Sequence, residues 1–126
     1  MLAHTIEVRV RYQETDGQGR LHHANFFTYF EQGRVELLRS LGKSYRDLEA
    51  RGYMLVVSEI ACRYVGGATF DDVLHITTRA VEAKGARIVH EYIVHRGEER
   101  IAEGRSTVAC INKEGRVCRL PEFLLD

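Results

Sequence analysis

One segment of the 126-residue chain changes its hydrophobic period and so limits the folds open to all the rest. From about Asn25 to Leu41 the apolar residues recur at helical spacing: Phe26, Phe30, Gly33, Leu37 and Leu41 share a stripe, widened by Phe27 and Leu38. Before it, Thr5 to Tyr12 alternates, with Ile6, Val8, Val10 and Tyr12 on one side and Glu7, Arg9 and Arg11 on the other, as a half-buried strand requires. After it come four strand-like runs, Met54–Tyr64, Val73–Glu82, Arg87–His95 and Ile101–Asn112. They are broken at Gly66-Gly67, near Lys84-Gly85 and at Arg96-Gly97, and the last two breaks are short enough for antiparallel hairpins. A strand, one long helix and four antiparallel strands predict an α+β domain over residues 1–126, a single sheet with the helix on one face.

Local signals refine this outline. Asn25 is placed to cap the helix and Gly42 to end it, while Ser44 to Gly52 reads as a short capped helical turn. Gly33 inside the apolar stripe costs about 1 kcal/mol of helix propensity, a cost offset if the helix must approach a flat sheet or ligand closely. Pro121 precedes a tail, Glu122 to Asp126, whose Phe123 and Leu124 can tuck against the body. One helix cannot cover both faces of five strands. The far face is expected to carry Val57, Ala61, Val89, Ile93, Ala109 and Ile111 among charges, so it predicts burial against another subunit in a homo-oligomer.

Composition excludes several classes of function. Eighteen basic and eighteen acidic residues cancel, so no long-range field favours nucleic acid or an anionic bilayer. No apolar run approaches the roughly 20 residues of a membrane-spanning helix, and the start MLAHTIEVRV lacks the basic flank and apolar stretch of a signal peptide. The expectation is a cytoplasmic protein without membrane insertion. Cys62, Cys110 and Cys118 are odd in number and scattered, which reads as reduced thiols.

The chemistry-bearing stretch is Tyr12 to Arg34, YQETDGQGRLHHANFFTYFEQGR, with Asp16 in a glycine turn just before the long helix. A helix start leaves backbone N–H groups unpaired, so a carboxylate and a site for developing negative charge arrive within ten residues of each other. By itself an Asp-Gly pair is equally an ordinary turn. His22 and His23 with Asp16 offer three metal-capable side chains, but adjacent histidines in a turn rarely face one point, so no metal is expected.

Tyr12, Thr15-Asp16, Gly19, His23 and the run Phe26, Tyr29, Phe30-Glu31, Arg34 resemble the hotdog-fold acyl-CoA thioesterases. The resemblance is greatest to the 4-hydroxybenzoyl-CoA thioesterase family, with its Tol-Pal-associated short-chain acyl-CoA thioesterase relatives. Tyr64 before a short loop, Asp71-Asp72 and the strand VLHITTRAV extend it over nearly the whole chain. It implies a five-stranded antiparallel sheet wrapped around one long helix, dimers joined through edge strands and often paired into tetramers, and active sites at the dimer interface. It places the catalytic carboxylate on Asp16, as general base on water or nucleophile at the thioester carbonyl. It places the carbonyl-polarising backbone N–H on His23, where some members carry tyrosine. No cofactor is implied.

For substrate contacts the resemblance points to Ser58 on the strand that borders the acyl pocket, and to Lys84 and Arg87, where members place residues that contact the nucleotide. Arg63 is a further basic candidate. Glu31, three residues before Arg34, reads either as half of a surface ion pair or as a group that orients water or lines a neighbour's site. Coenzyme A has three phosphates, which a neutral protein must hold with local cations. Its thiolate leaves readily, so one carboxylate and one oxyanion donor can suffice for hydrolysis. Phe26, Phe27, Phe30 and Met54 point to an apolar end wall and hence to short-chain or aromatic acyl groups. Acyl carrier protein is an alternative carrier. The competing readings are a hotdog protein that binds acyl-CoA or acyl carriers without hydrolysis, and a hotdog enoyl-CoA hydratase using Asp16 and His23 on one water.

Overall fold

A computed structural model describes residues 2–125. Five strands, β1 (Ala3–Arg9), β2 (Met54–Tyr64), β3 (Val73–Lys84), β4 (Arg87–Arg96) and β5 (Glu99–Ile111), form one antiparallel sheet in the order β1-β3-β4-β5-β2. The long helix α1 (Asn25–Ser40) lies across one face. This is the single sheet with one helix on a face that the period change predicted and the hotdog arrangement that the resemblance implied, and the four later strands fall within about two residues of their expected bounds. Two short helices, α2 (Tyr45–Ala50) and α3 (Glu122–Leu125), pack at the end where α1 finishes. No helix among the described residues is long and apolar enough to cross a membrane.

The helix seats closely because two glycines leave room. A methyl group on Gly33 would lie 2.3 Å from Thr78 Oγ1 and 3.3 Å from Ile76 Cγ2, so the sequence-based reason for that glycine holds. On the sheet, a methyl on Gly104 would meet the Phe30 ring at 2.4 Å. Phe30 instead stacks on Tyr92 with ring centroids 4.3 Å apart. The core between α1 and the sheet gathers Phe26, Tyr29, Phe30, Leu74, Ile76 and Val94, all nearly or fully buried. At roughly 1.5–3 kcal/mol per buried large apolar side chain, this layer is the main stabilising term.

Several local expectations need correction. Tyr12 does not continue the inward side of β1. The strand ends at Arg9, a 3₁₀ turn covers Tyr12–Glu14, and Tyr12 is 76% exposed, edge-on to Phe70. Asn25 is the first helical residue rather than the cap, because its side-chain amide is used elsewhere. Gly42 does end α1, with φ +79° and its N–H on Arg39 O, and Ser44 does cap α2 by accepting the Asp47 N–H at 3.0 Å. A bulge at Ser58 shifts the β2–β5 register, so Val56 lies beside Ala109 on the far face while Val57 sits opposite buried Val108 on the helix side. Leu124 tucks in as expected, and Arg51 lies 4.1 Å over the Phe123 ring. The three cysteines are free thiols, yet the fold brings Cys110 Sγ within 3.6 Å of Cys118 Sγ, a proximity that their sequence spacing hid.

The far face of the sheet forms an open hollow of about 510 Å³ lined by Ala61, Arg63, Thr77, Arg79, Glu91 and Ile93, among others. It mixes apolar and charged groups as anticipated, and Arg105 pairs with Glu91 there at 2.9 Å.

Candidate active site

Asp16 stands at the tip of a short hairpin-like loop. Thr15 bridges Leu21, Asp16 N–H donates to Arg20 O at 2.8 Å, and Gly19 takes a positive φ to close the turn. The carboxylate folds back on its own loop: Oδ1 accepts N–H bonds from Gln18 at 2.8 Å and Arg20 at 3.2 Å. The Gln18 N–H is the main reason its pKa lies below the usual aspartate value; burial opposes it, and the Arg20 N–H and nearby His22 add to the lowering. The group is therefore ionised at neutral pH. Oδ2 accepts no hydrogen bond among the described residues and is the oxygen left for chemistry.

The loop is stapled to the helix start by Glu14, a residue whose role the sequence reading missed. Its carbonyl accepts both the His22 N–H and the Asn25 side-chain amide, each at 2.8 Å. Its carboxylate, 4% exposed, accepts the Arg11 N–H at 2.7 Å and the Tyr29 hydroxyl at 2.8 Å, with the Arg11 guanidinium at 3.2 Å. Burial pushes the Glu14 pKa up, but these donors outweigh it and leave it lowered overall; burial and Glu14 together push the Tyr29 hydroxyl well up. A signal was available: Tyr29 falls between Phe26 and Phe30 on a buried helix face, where its hydroxyl must find a partner.

Just before α1, His22 Nδ1 accepts the Ala24 N–H at 3.1 Å, so the ring is held against the backbone that leads into the helix. The His22 and His23 rings stack at 4.2 Å. The N–H groups of Asn25, Phe26 and Phe27 are taken by His22 O, His23 O and Ala24 O. That leaves the His23 backbone N–H without an acceptor among the described residues. Tyr64, at the end of β2, donates its hydroxyl to His23 O at 3.0 Å and packs edge-on against Phe26 at 5.3 Å, tying this helix start to the edge strand. Asp16 and His23 thus belong to one bonded unit.

The other sequence candidates are dispersed. Arg34 is not a surface residue: it is 7% exposed, and its contact with exposed Glu31 is a long 3.9 Å. Ser58 occupies the β2 bulge, where its hydroxyl donates to Thr107 O at 3.2 Å. Arg63 extends from the face opposite Tyr64 toward Glu103 at 3.8 Å. Lys84 and Arg87 face each other across the β3–β4 turn. The Asp16 loop bonds near the start of β3, where Arg20 bridges Thr69, so these two cations stand the length of β3, roughly 36 Å, from it within one chain. Phe26 and Phe30 are core residues and Met54 is exposed at the opposite end of β2 from Tyr64, so they form no common end wall in one chain. Asp16 itself is only half-buried, and the outer edge of β2, the strand whose Tyr64 reaches His23, has no strand paired to it among the described residues.

Residues 10–126 match the model of the thioesterase-like superfamily, and the chain belongs to that family: it is a thioester hydrolase with the hotdog fold. Among the curated proteins, the acyl-CoA thioesterase YbgC of Haemophilus influenzae is 35% identical over 109 residues, covering 86% of this chain and 80% of its own. The acyl-CoA thioester hydrolase YbgC of Escherichia coli is 31% identical over 106 residues, 83% of this chain and 79% of its own. Among solved structures, the DHNA-CoA thioesterase of Staphylococcus aureus superposes with a TM-score of 0.92 at 26% identity, over 98% of this chain and 84% of that one.

Proposed function

We propose that the chain hydrolyses short-chain or aromatic acyl-CoA thioesters, with Asp16 as general base or nucleophile and the His23 N–H as oxyanion donor. The observation that carries this reading is the pairing of an ionised carboxylate with an acceptor-free helix-start N–H, both hung from Glu14. Either Oδ2 takes a proton from the water that attacks the thioester carbon, or it attacks that carbon itself and water then hydrolyses the mixed anhydride; in both routes the carbonyl oxygen faces that N–H, which stabilises its developing negative charge, and the C–S bond breaks. The thiolate departs without a dedicated acid. The names of the relatives support the acyl-CoA class, and the name of the Staphylococcus neighbour supports an aromatic acyl group.

A second copy supplies what the lone chain lacks. Pairing two β2 edges antiparallel would cover the exposed Met54, Val56 and Val57 and lay each copy's Met54 end beside the other's Tyr64 end. The β3–β4 turn lies at that Met54 end, since Arg87 and Val56 both pair with Ala109. Lys84 and Arg87 of one copy would then approach the other's Asp16 end and meet the nucleotide phosphates. The dimer therefore converts remote cations into substrate contacts and encloses Asp16.

The test is release of free thiol across a panel of acyl-CoA esters by wild type and Asp16→Asn. Asparagine can still accept the Gln18 and Arg20 N–H bonds, so fold and oligomer persist while turnover drops by about 10²-fold or more. A fully active Asp16→Asn protein refutes the assignment.

A further inference from the structure

The chain buries a guanidinium whose partners within the fold are neutral hydroxyls and one largely exposed carboxylate. Arg34 is 7% exposed, yet no buried carboxylate lies with it among the described residues. Its Nη1 reaches the Tyr92 hydroxyl only at 3.5 Å, and that hydroxyl is already joined to Ser106 Oγ at 2.6 Å. Glu31, at 3.9 Å, is largely in solvent. The Tyr45 hydroxyl accepts a hydrogen bond from the guanidinium, a neutral partner that leaves the charge uncompensated. Beside Arg34, His90 is 5% exposed and its Nδ1 has no hydrogen-bond partner. Buried cations and imidazoles are ordinarily paired, because an uncompensated polar atom costs about 1–3 kcal/mol and a charge more.

Both side chains line one partly open cavity of about 110 Å³ between the second half of α1, β3–β4 and α3. Apart from Tyr45, its remaining walls are apolar, chiefly Leu37, Leu38, Ile88 and Leu124. We propose that this cavity binds a small monocarboxylate, with the carboxylate held by Arg34 and His90 and the hydrocarbon among those leucines. One guanidinium matches one negative charge. A phosphate dianion would remain half-neutralised and would have to shed its water against hydrocarbon. Size sets the other bound, since a cavity of about 150 Å³ accommodates benzene. An acid of about four carbons is the scale. This site is separate from the thioester site: eleven helical residues from His23 to Arg34 make about 16 Å, and Phe26, Phe30 and Tyr92 fill the interval. Burial and the nearby Arg34 charge hold His90 neutral, with a pKa of about 4, and an arriving carboxylate would raise it.

The experiment titrates the full-length protein with butyrate, following the carboxylate by ligand-observed NMR and the His90 ring by its own resonances, with butyramide as the uncharged control. Expected is saturable binding with a dissociation constant of about 1 mM, the scale for a ligand of this size, and an upward shift of the His90 pKa on saturation. Binding should persist in Asp16→Asn, which separates this site from product binding at the thioester site, and weaken about 10-fold or more in His90→Phe, an apolar replacement the core can hold. The proposal is overturned if butyrate fails to saturate by roughly 10 mM, if butyramide binds as well, or if Asp16→Asn abolishes binding while His90→Phe leaves it intact.

Discussion

Gly33→Ala tests how α1 is seated, because two effects of opposite sign compete at one atom. Alanine is worth about 1 kcal/mol more than glycine inside a helix, so on propensity alone the variant should be more stable. The added methyl, however, would stand 2.3 Å from Thr78 Oγ1, more than 1 Å inside contact distance, and 3.3 Å from Ile76 Cγ2. Thr78 is fully buried in β3 and cannot swing into solvent, so either its rotamer or the helix must shift, at a typical overpacking cost of about 1–3 kcal/mol. The net expectation is a loss of up to about 2 kcal/mol, read from urea unfolding at constant slope. Thr78→Ala in the same chain should reverse the sign. With Oγ1 gone, a buried hydroxyl that has no hydrogen-bond partner is also removed, and the double variant should match or exceed wild type. If Gly33→Ala alone gains about 1 kcal/mol, close helix–sheet contact is not why that glycine is there.

Removing the two cations proposed to meet the nucleotide should separate binding from chemistry: Lys84→Ala and Arg87→Ala are expected to raise KM several-fold with turnover nearly unchanged, in steady-state assays on acyl-CoA. Glu14→Gln keeps the backbone staple but replaces a carboxylate that accepts from Arg11 and Tyr29, so a stability loss of about 1–3 kcal/mol should accompany reduced activity; unchanged unfolding would refute the role given to Glu14. His90 binds its proton less readily folded than unfolded, so its contribution to stability is complete above pH 6.5 and is lost as pH falls toward 4, at up to about 1.4 kcal/mol per pH unit. His90→Phe should flatten that slope in pH-dependent urea melts, while the acid loss from Glu14, which sets in below about 4.5, remains. His23→Ala should retain most activity, since the proposed donor is its backbone N–H; a collapse in turnover would assign the work to the imidazole.

What was legible in the sequence was whatever periodicity or a special residue encodes. The strand bounds, Gly42 and Ser44 follow from alternation, positive φ and a hydroxyl cap, and Gly33 announced close contact by its place in an apolar stripe. Interactions between distant polar residues left weaker traces. Glu14 looked like part of a polar turn, and only the Tyr29 hydroxyl fifteen residues later hinted that it would be buried. Arg34 has an obvious i,i+3 partner in Glu31, which made a surface pair the natural reading; the helix rotates it onto the sheet instead. The Ser58 bulge inverted the side of Val57, since a single extra residue changes facing without altering composition.

The double acceptor at Glu14 O has a consequence for how this enzyme moves. A single carbonyl anchors the strand leaving the Asp16 turn and the first residue of α1, so thermal displacement carries both along as one body. Breathing of the sheet would then change what lies above the two groups far more than the gap between them. Divergence in substrate choice within such a scaffold can proceed at the roof while the chemistry underneath stays in register.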